Sequence, residues 1–217
     1  MEQKTMTGHK GVFITLDGGE GVGKTRQKNL LMEKLPALYP GREFVFSREP
    51  GGTPYAEEIR NVIFSESART ADGKTMFGLF TAARMDHVRN LIKPSLDAGK
   101  VVVCDRFMAA TYAYQVYAME NPATVAAFQV HVAELAVRPD LTLILNMDPE
   151  EALLRVKRRA GEITHFDERE LVFHQGLCKG YGAYAKLFPD TTALVDASRS
   201  VEEVEADIHA HIKKLLG

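Results

Sequence analysis

The sequence lacks the features that would assign it to a membrane, disulfide-rich or strongly charged class of protein. No apolar run approaches the ~20 residues of a membrane-spanning helix, and the N-terminal MEQKTMTGHK has no apolar segment of a secretory signal. The two cysteines, Cys104 and Cys178, lie far apart and match neither a metal-ligand nor a redox spacing. The net charge of -2 gives no overall attraction to nucleic acid or anionic lipid. We therefore expect a cytoplasmic protein that acts without nucleic acid or membrane.

The pattern of apolar residues predicts an α/β fold. With 217 residues, of which 45% are hydrophobic, the chain is expected to form a single domain over 1–217. Short apolar runs are typical of strands in a parallel sheet, at Val12–Leu16, Phe44–Ser47, Val101–Cys104, Leu141–Asn146 and Ala193–Val195. Helical patterns alternate with them, at about Lys24–Leu35, Tyr55–Phe64, Thr75–Ala98, Ala123–Ala136, Pro149–Arg159, Glu168–Leu187 and Val201–Leu216. The alternation predicts a three-layer αβα fold around a five-stranded parallel sheet.

A glycine-rich stretch, DGGEGVGKT from Asp17 to Thr25, follows the first predicted strand. The spacing of two glycines, lysine and threonine between a strand and a helix is typical of a phosphate-binding loop, or P-loop. Backbone N–H groups and the helix N-terminus would hold phosphate oxygens. Lys24 would reach the terminal phosphates of a nucleotide, and Thr25 would bind Mg²⁺. The residues expected to hold the nucleotide are Gly18, Gly19, Glu20, Gly21, Val22, Gly23, Lys24 and Thr25.

Several later segments place polar side chains near the same edge of the predicted sheet. SREPGGT follows the second strand, Asp105 and Arg106 follow the third, and FTAAR and RVKRR lie on helices. Phosphoryl transfer depends on cations around the γ-phosphate, because its catalysis is mainly positioning and charge neutralisation. The residues therefore favour binding of a nucleoside triphosphate with polar groups around its phosphates, and they leave the reaction open.

At these residues the chain resembles the thymidylate kinase family, P-loop enzymes that transfer the γ-phosphate of ATP to dTMP. The resemblance covers nearly the whole chain, through LDGGEGVGKT, REPGGT, FTAAR, KPSLDAGKVVVCDRF, AYQ, RPDLTLILNMDPEEALLR and KGYGAYAKLFPD. The combination of REPGGT with DRF and AYQ is specific to that family among P-loop kinases. The resemblance implies a P-loop NTPase fold, the cofactors ATP and Mg²⁺, the substrate dTMP and a homodimer.

The resemblance also implies roles for individual residues. The expected catalytic residues are Lys24, Arg48, Asp105, Arg106, Arg155 and Arg159. The expected substrate-binding residues are Asp17, Arg48, Phe80, Arg84, Arg106, Thr111, Tyr114 and Gln115. Thr25 and Asp105 are expected to hold the metal. For Asp17, the residue chemistry leaves open a second role, in which it caps backbone amides of the loop itself.

The sequence departs from the family pattern at the acceptor segment and at the lid. Ala110 stands where the family usually has a serine, and Thr111 follows it. No arginine lies within the phosphate loop, so a mobile lid at about 155–168 would have to supply the transition-state cation. In that lid, Thr164 and His165 replace an Asp-Arg pair of the family.

Two other functions remain open from the residues alone. The change at Ala110 is compatible with a kinase for another deoxynucleotide or a deoxynucleoside. A P-loop switch protein is the second alternative, although the sequence has no Asn/Thr-Lys-x-Asp motif for guanine. A switch protein would also have no use for the acceptor residues Arg48, Phe80, Arg84 and Gln115.

Overall fold

A computed structural model describes residues 9–119, 122–158, 166–167 and 169–217. Its sheet has five strands: β1 (Val12–Gly18), β2 (Phe44–Arg48), β3 (Val101–Asp105), β4 (Leu141–Asn146) and β5 (Thr192–Asp196). The strand order is β2-β3-β1-β4-β5, and every pairing is parallel. The predicted α/β class and five-stranded parallel sheet are thereby confirmed.

Helices cover both faces of the sheet. They are α1 (Lys24–Leu38), α2 (Pro54–Ile63), α3 (Gly73–His87), α4 (Lys93–Asp97), α5 (Met108–Thr111), α6 (Pro122–Glu134), α7 (Pro149–Arg158), α8 (Leu171–Leu187) and α9 (Val201–Leu216). Successive residues of β1 face different cores, since Phe13 packs in one apolar cluster and Ile14 in the other. One cluster includes residues of α3, α6 and α8, and the other includes residues of α1 and α9. This is the predicted three-layer arrangement.

Two helical segments differ from the sequence prediction. The predicted helix Thr75–Ala98 is divided into α3 and α4 by a π-helical turn, Val88–Ile92. A second π-helical segment, Tyr112–Ala118, continues α5, and no helix was predicted there. Four consecutive residues of it, Ala113, Tyr114, Gln115 and Val116, are buried, so its sequence does not show the apolar stripe of a surface helix.

The strand order determines where the polar residues meet. β1 lies between β3 and β4, and the chain crosses to opposite sides of β1 to form them. A crevice at the carboxyl ends of the strands is expected at such a switch point. The phosphate loop leaves β1 there, beside the segment that follows β3. Within the described ranges, no helix is long and apolar enough to cross a membrane.

Candidate active site

A cleft of about 820 Å³ opens at the carboxyl edge of the sheet. The phosphate loop, the turns after β2 and β3, α3 and the Tyr112–Ala118 segment all contribute to its wall. It brings together most of the site residues predicted from the sequence, namely Glu20, Gly21, Gly23, Lys24, Thr25, Arg48, Phe80, Arg84, Asp105, Arg106, Thr111, Tyr114, Gln115 and Arg155. Arg159 and 160–165, the centre of the predicted lid, lie outside the described residues.

The phosphate loop has a backbone that only glycine adopts without strain at some positions. Gly21 has φ +75°, and a Cβ there would lie 2.1 Å from the carbonyl oxygen of Ala152. Gly23 has φ +89° and directly precedes α1, which begins at Lys24. Lys24 is buried, its Nζ donates to the Gly19 carbonyl, and burial lowers its pKa to about 8. The loop therefore has the geometry of a phosphate site, with a cation at its base.

Asp17, at the end of β1, does not form part of the cleft wall. It is completely buried, and its Oδ1 accepts hydrogen bonds from the amides of Phe107 at 3.3 Å and Ala110 at 3.0 Å. Sequence reasoning predicted either a substrate contact or a cap on the phosphate loop itself. The capped amides belong instead to the segment after β3, so Asp17 joins that segment to β1.

The ionisation of Asp17 gives a testable effect on stability. Burial raises its pKa from 3.8 to about 6. The folded protein therefore binds this proton more tightly than the unfolded chain does, and ionisation above pH 6 opposes folding. Asparagine offers the same amides an uncharged oxygen. We expect Asp17→Asn to increase the free energy of unfolding at pH 7.5 by about 1–3 kcal/mol.

Urea denaturation at pH 7.5 and near pH 4 measures this effect. The stabilisation should shrink as the pH falls from about 6 towards 4, because over that window the wild-type carboxyl group is protonated in the folded protein but still ionised in the unfolded chain. A stability difference that is the same at both pH values would show that the charge of Asp17 is not its source.

Arg106 connects the phosphate loop to the segment after β3. Its φ of +69° is unusual for a residue with a side chain. Nη1 donates to the Gly18 carbonyl at 3.1 Å and to the Tyr181 hydroxyl at 3.3 Å, and Nη2 donates to Glu20 at 2.6 Å. Tyr181 in turn donates to the same Gly18 carbonyl at 3.0 Å. The guanidinium group is thus fixed by three neighbours at the edge of the cleft.

Glu20 extends from the phosphate loop towards residues of the Tyr112–Ala118 segment. Its Oε1 accepts from Arg106 and, at 2.6 Å, from the Tyr114 hydroxyl. The Arg106 guanidinium also lies over the Tyr114 ring, 5.0 Å from its centroid. Glu20, predicted as part of the nucleotide site, therefore lies among residues predicted to bind the acceptor.

Another part of the cleft wall, formed by α3 and the residues 111–115, contains buried hydrogen-bond donors that have no partner among the described residues. Arg84 donates from Nε to Glu49 at 2.7 Å and from Nη2 to the Phe107 carbonyl at 3.0 Å. Its Nη1, the Gln115 Nε2 and the Thr111 Oγ1 are buried and have no hydrogen-bond partner among the residues that the structure describes. Unpaired buried polar groups cost free energy, so a ligand that supplies acceptors would be stabilised here. Half-buried Phe80 lies on the same wall.

Arg48 and Arg155 lie at more open parts of the cleft. The Arg48 side chain is 46% exposed and pairs with Glu57 at 2.8 Å. Arg155 donates to the Ala197 carbonyl, in the turn after β5, at 3.0 Å and to Glu151 at 2.7 Å. The ion pairs with Glu57 and Glu151 are open to solvent and therefore weak, whereas the bond to the buried Ala197 carbonyl holds Arg155 more firmly than Arg48 is held.

Oxygen donors suited to Mg²⁺ face the same cleft. The exposed Thr25 and the carboxylate of Asp105 contribute to its wall, and Asp105 pairs with Lys28 at 3.1 Å. No group of three or more His, Cys, Asp or Glu side chains suited to a metal occurs in the described ranges. Mg²⁺ commonly takes one or two protein oxygens and completes its shell with phosphate and water. The residues present fit that mode of binding.

Sequence reasoning missed several residues of the site. Glu49 holds Arg84, and Tyr181 holds both Gly18 and Arg106. Arg60 also contributes to the cleft wall, where it donates to the Pro50 carbonyl at 2.9 Å and lies over the Phe64 ring. Glu49 and Tyr181 occur within REPGGT and KGYGAY, but a linear motif does not reveal which distant side chain a residue meets.

Comparison with known proteins gives one consistent family. A model of the family described as Thymidylate kinase matches residues 16–208. A thymidylate kinase of Gluconobacter oxydans (strain 621H) is 41% identical over 199 residues, covering 91% of this chain and 92% of that protein. A thymidylate kinase of Symbiobacterium thermophilum is 40% identical over 205 residues, covering 94% of each chain.

A solved structure agrees with the sequence relatives. The crystal structure of thymidylate kinase from Ehrlichia chaffeensis superimposes with a TM-score of 0.74 at 30% sequence identity. The match covers 94% of this chain and 98% of the other. The likeness therefore extends over the whole sheet and the helices around it.

Proposed function

The chain belongs to the thymidylate kinase family, and from this premise we propose how the residues of its cleft perform phosphoryl transfer to dTMP. The protein is a nucleoside monophosphate kinase, which converts dTMP to dTDP at the expense of a donor nucleotide. We propose that the donor is ATP. The assignment of roles rests on the cleft, which is lined by a phosphate loop and by buried donors that have no hydrogen-bond partner in the described ranges.

The donor phosphates would lie on the loop Gly18–Thr25. Backbone N–H groups and the start of α1 would hold the β- and γ-phosphates, with Lys24 beside them. Because Lys24 donates to the Gly19 carbonyl, a bound phosphate would replace a neutral acceptor with a charged one. Thr25 and Asp105 would hold Mg²⁺, which neutralises phosphate charge when bound.

The acceptor would occupy the wall formed by α3 and the Tyr112–Ala118 segment. Arg48 and Arg106 would hold the phosphate of dTMP, because one guanidinium group can donate two parallel hydrogen bonds to two phosphate oxygens. Arg84 Nη1 would donate to a carbonyl oxygen of thymine, and Phe80 would stack on the ring. Cytosine has an amino group where thymine has this carbonyl oxygen. Both the amino group and Arg84 Nη1 are donors, so they cannot form a hydrogen bond with each other.

Tyr114, Gln115 and Thr111 would complete this wall. The Gln115 amide would pair with the thymine edge, and Tyr114 would close on the deoxyribose. The Thr111 hydroxyl is buried without a hydrogen-bond partner in the part of the chain that the structure describes, which supports a ligand-binding role for this residue beside Ala110, where the family usually has a serine. We infer that Thr111 supplies the acceptor-side hydrogen bond there.

The chemistry requires no side-chain nucleophile. An oxygen of the dTMP phosphate attacks the γ-phosphorus of ATP, the bond to the β-phosphate oxygen breaks, and ADP leaves. Lys24 and Arg106 would stabilise the charge that spreads over the transferred group. Arg155 and Arg159 would add positive charge from a lid at 155–168. We propose that this lid is part of a single domain of 217 residues.

We also propose a homodimer, located in the cytoplasm. Exposed apolar side chains on α2, α3 and α6 support a shared face, including Val62 at 53%, Met85 at 59% and Val130 at 56% exposure. α3 lies between α2 and α6 in the fold. Sedimentation of the protein only as a monomer at micromolar concentration would contradict the dimer.

A substrate panel tests the function. ADP release is measured with Mg-ATP and dTMP, dUMP, dCMP, dGMP, UMP or thymidine, beside a reaction without an acceptor. We expect dTMP to give the highest kcat/KM, with dCMP at least 100-fold lower, because it presents a donor to Arg84. A higher kcat/KM for another monophosphate would indicate that Ala110 and Thr111 change the acceptor specificity. Equal turnover without an acceptor would contradict a kinase.

A further inference from the structure

A chain of buried hydrogen bonds lies behind the proposed base-binding wall. It runs from Ser47 at the end of β2, through His87 and Glu49, to Arg84. Glu49, Arg84 and His87 are each 5% exposed or less. Arg84 and His87 lie one turn apart on α3, so they present their side chains on the same face to Glu49.

Each oxygen of the Glu49 carboxylate has a different partner. Oε2 accepts from Arg84 Nε at 2.7 Å, and Oε1 lies 3.1 Å from His87 Nδ1. The other ring nitrogen of His87, Nε2, lies 2.7 Å from the Ser47 hydroxyl. A carboxylate only accepts, so Nδ1 carries the proton that faces Glu49. In the neutral ring Nε2 then accepts from Ser47, and this fixes the tautomer.

The surroundings pack closely against this arrangement. Gly52 has φ +89°, and a Cβ there would lie 2.5 Å from both His87 Nε2 and Ser47 Oγ. The Phe107 carbonyl holds Arg84 Nη2 at 3.0 Å from the other side. Two nitrogens of Arg84 are therefore fixed, and the third, Nη1, has no partner among the described residues.

We propose that His87 is a positioning residue for acceptor recognition, which holds Glu49 so that Arg84 presents Nη1 to the base of the nucleoside monophosphate. The inference rests on the proposed role of Arg84. Without the His87 hydrogen bond, the Glu49 carboxylate keeps only its contact with Arg84 among the described residues, so the Glu49–Arg84 pair can shift and move Nη1 away from the base. The expected loss is in acceptor binding, since none of the four residues belongs to the phosphate loop.

The test compares KM for dTMP with KM for ATP in a series of variants. His87→Phe keeps a flat ring and removes both hydrogen bonds, His87→Asn keeps an N–H donor, and Ser47→Ala removes only the hydroxyl. We expect His87→Phe to raise KM for dTMP on the order of tenfold, with KM for ATP unchanged. His87→Asn should recover part of the loss, and Ser47→Ala should show a smaller loss of the same kind.

His131→Phe is the matched control. His131 is also a buried histidine beside α3, but its ring packs against Phe77 with centroids 6.3 Å apart. Burial lowers its pKa to about 4, so its replacement removes no charge at pH 7.5. We expect this variant to keep both KM values, whatever its effect on thermal stability.

A double-mutant cycle separates positioning from general damage. In an Arg84→Leu background, His87→Phe should have little further effect on KM for dTMP, because its effect passes through Arg84. Additive effects, or equal increases in both KM values, would overturn the proposal. If wild-type protein fails to turn over dTMP, the proposed function fails instead. Wild-type turnover with an unchanged His87→Phe variant overturns only the positioning role.

Discussion

Replacement of Lys24 by methionine is expected to lower kcat on the order of a thousandfold, the largest effect of any single change in the phosphate loop. Methionine is similar in length, and it packs in the same buried site at the base of the loop. The variant lacks only the cation and the donor that would reach the γ-phosphate. Because Lys24 is 8% exposed, solvent cannot substitute for its charge.

The pH dependence of wild-type and variant protein provides the internal control. Burial lowers the pKa of Lys24 to about 8 in the protein without ligand, so the charged form predominates below that pH. The wild-type kcat/KM for ATP should therefore fall as the pH rises through about 8. The residual activity of Lys24→Met should not show this fall. A variant with more than a tenth of wild-type kcat would contradict the role of Lys24.

The sheet and phosphate loop could be predicted because each depends on local sequence. Continuous apolar runs such as VVVC are typical of buried parallel strands, and β3 is found at Val101–Asp105. The loop follows from glycines that permit positive φ values and from the helix that begins at Lys24. The Tyr112–Ala118 segment was missed because four consecutive residues, Ala113 to Val116, are buried, so its sequence shows no alternation of apolar and polar residues with a helical period.

The partners of the site residues could not be predicted in the same way. Arg84 and Arg106 were recognised as ligand-binding arginines, but their hydrogen bonds join residues that are distant in the sequence. Arg84 meets Glu49, 35 positions away, and Arg106 meets Glu20, 86 positions away. Asp17 was expected either near the substrate or as a cap on the amides of the phosphate loop, and in the structure it accepts from the amides of Phe107 and Ala110, because the register of β1 and β3 brings that turn over it.

Replacement of Arg106 by lysine is expected to reduce kcat/KM for dTMP by on the order of 100- to 1,000-fold while the protein stays folded. Lysine keeps the positive charge, and it would occupy the same left-handed backbone position as arginine at no greater cost. A single ammonium group cannot satisfy Gly18, Tyr181 and Glu20 together and also meet a phosphate. The fixed direction of the guanidinium group is therefore lost although the charge remains.

Arg48→Lys is the matched comparison, since Arg48 is also proposed to hold the dTMP phosphate. Its side chain is 46% exposed and pairs only with Glu57 among the described residues, so a lysine there can reach the same phosphate. We expect a smaller loss, mainly in KM for dTMP. Arg106→Lys should also lower kcat, because Arg106 contacts both Gly18 of the phosphate loop and Glu20, which holds Tyr114. Equal losses in the two variants, confined to KM, would show that Arg106 supplies charge alone and does not align the donor with the acceptor.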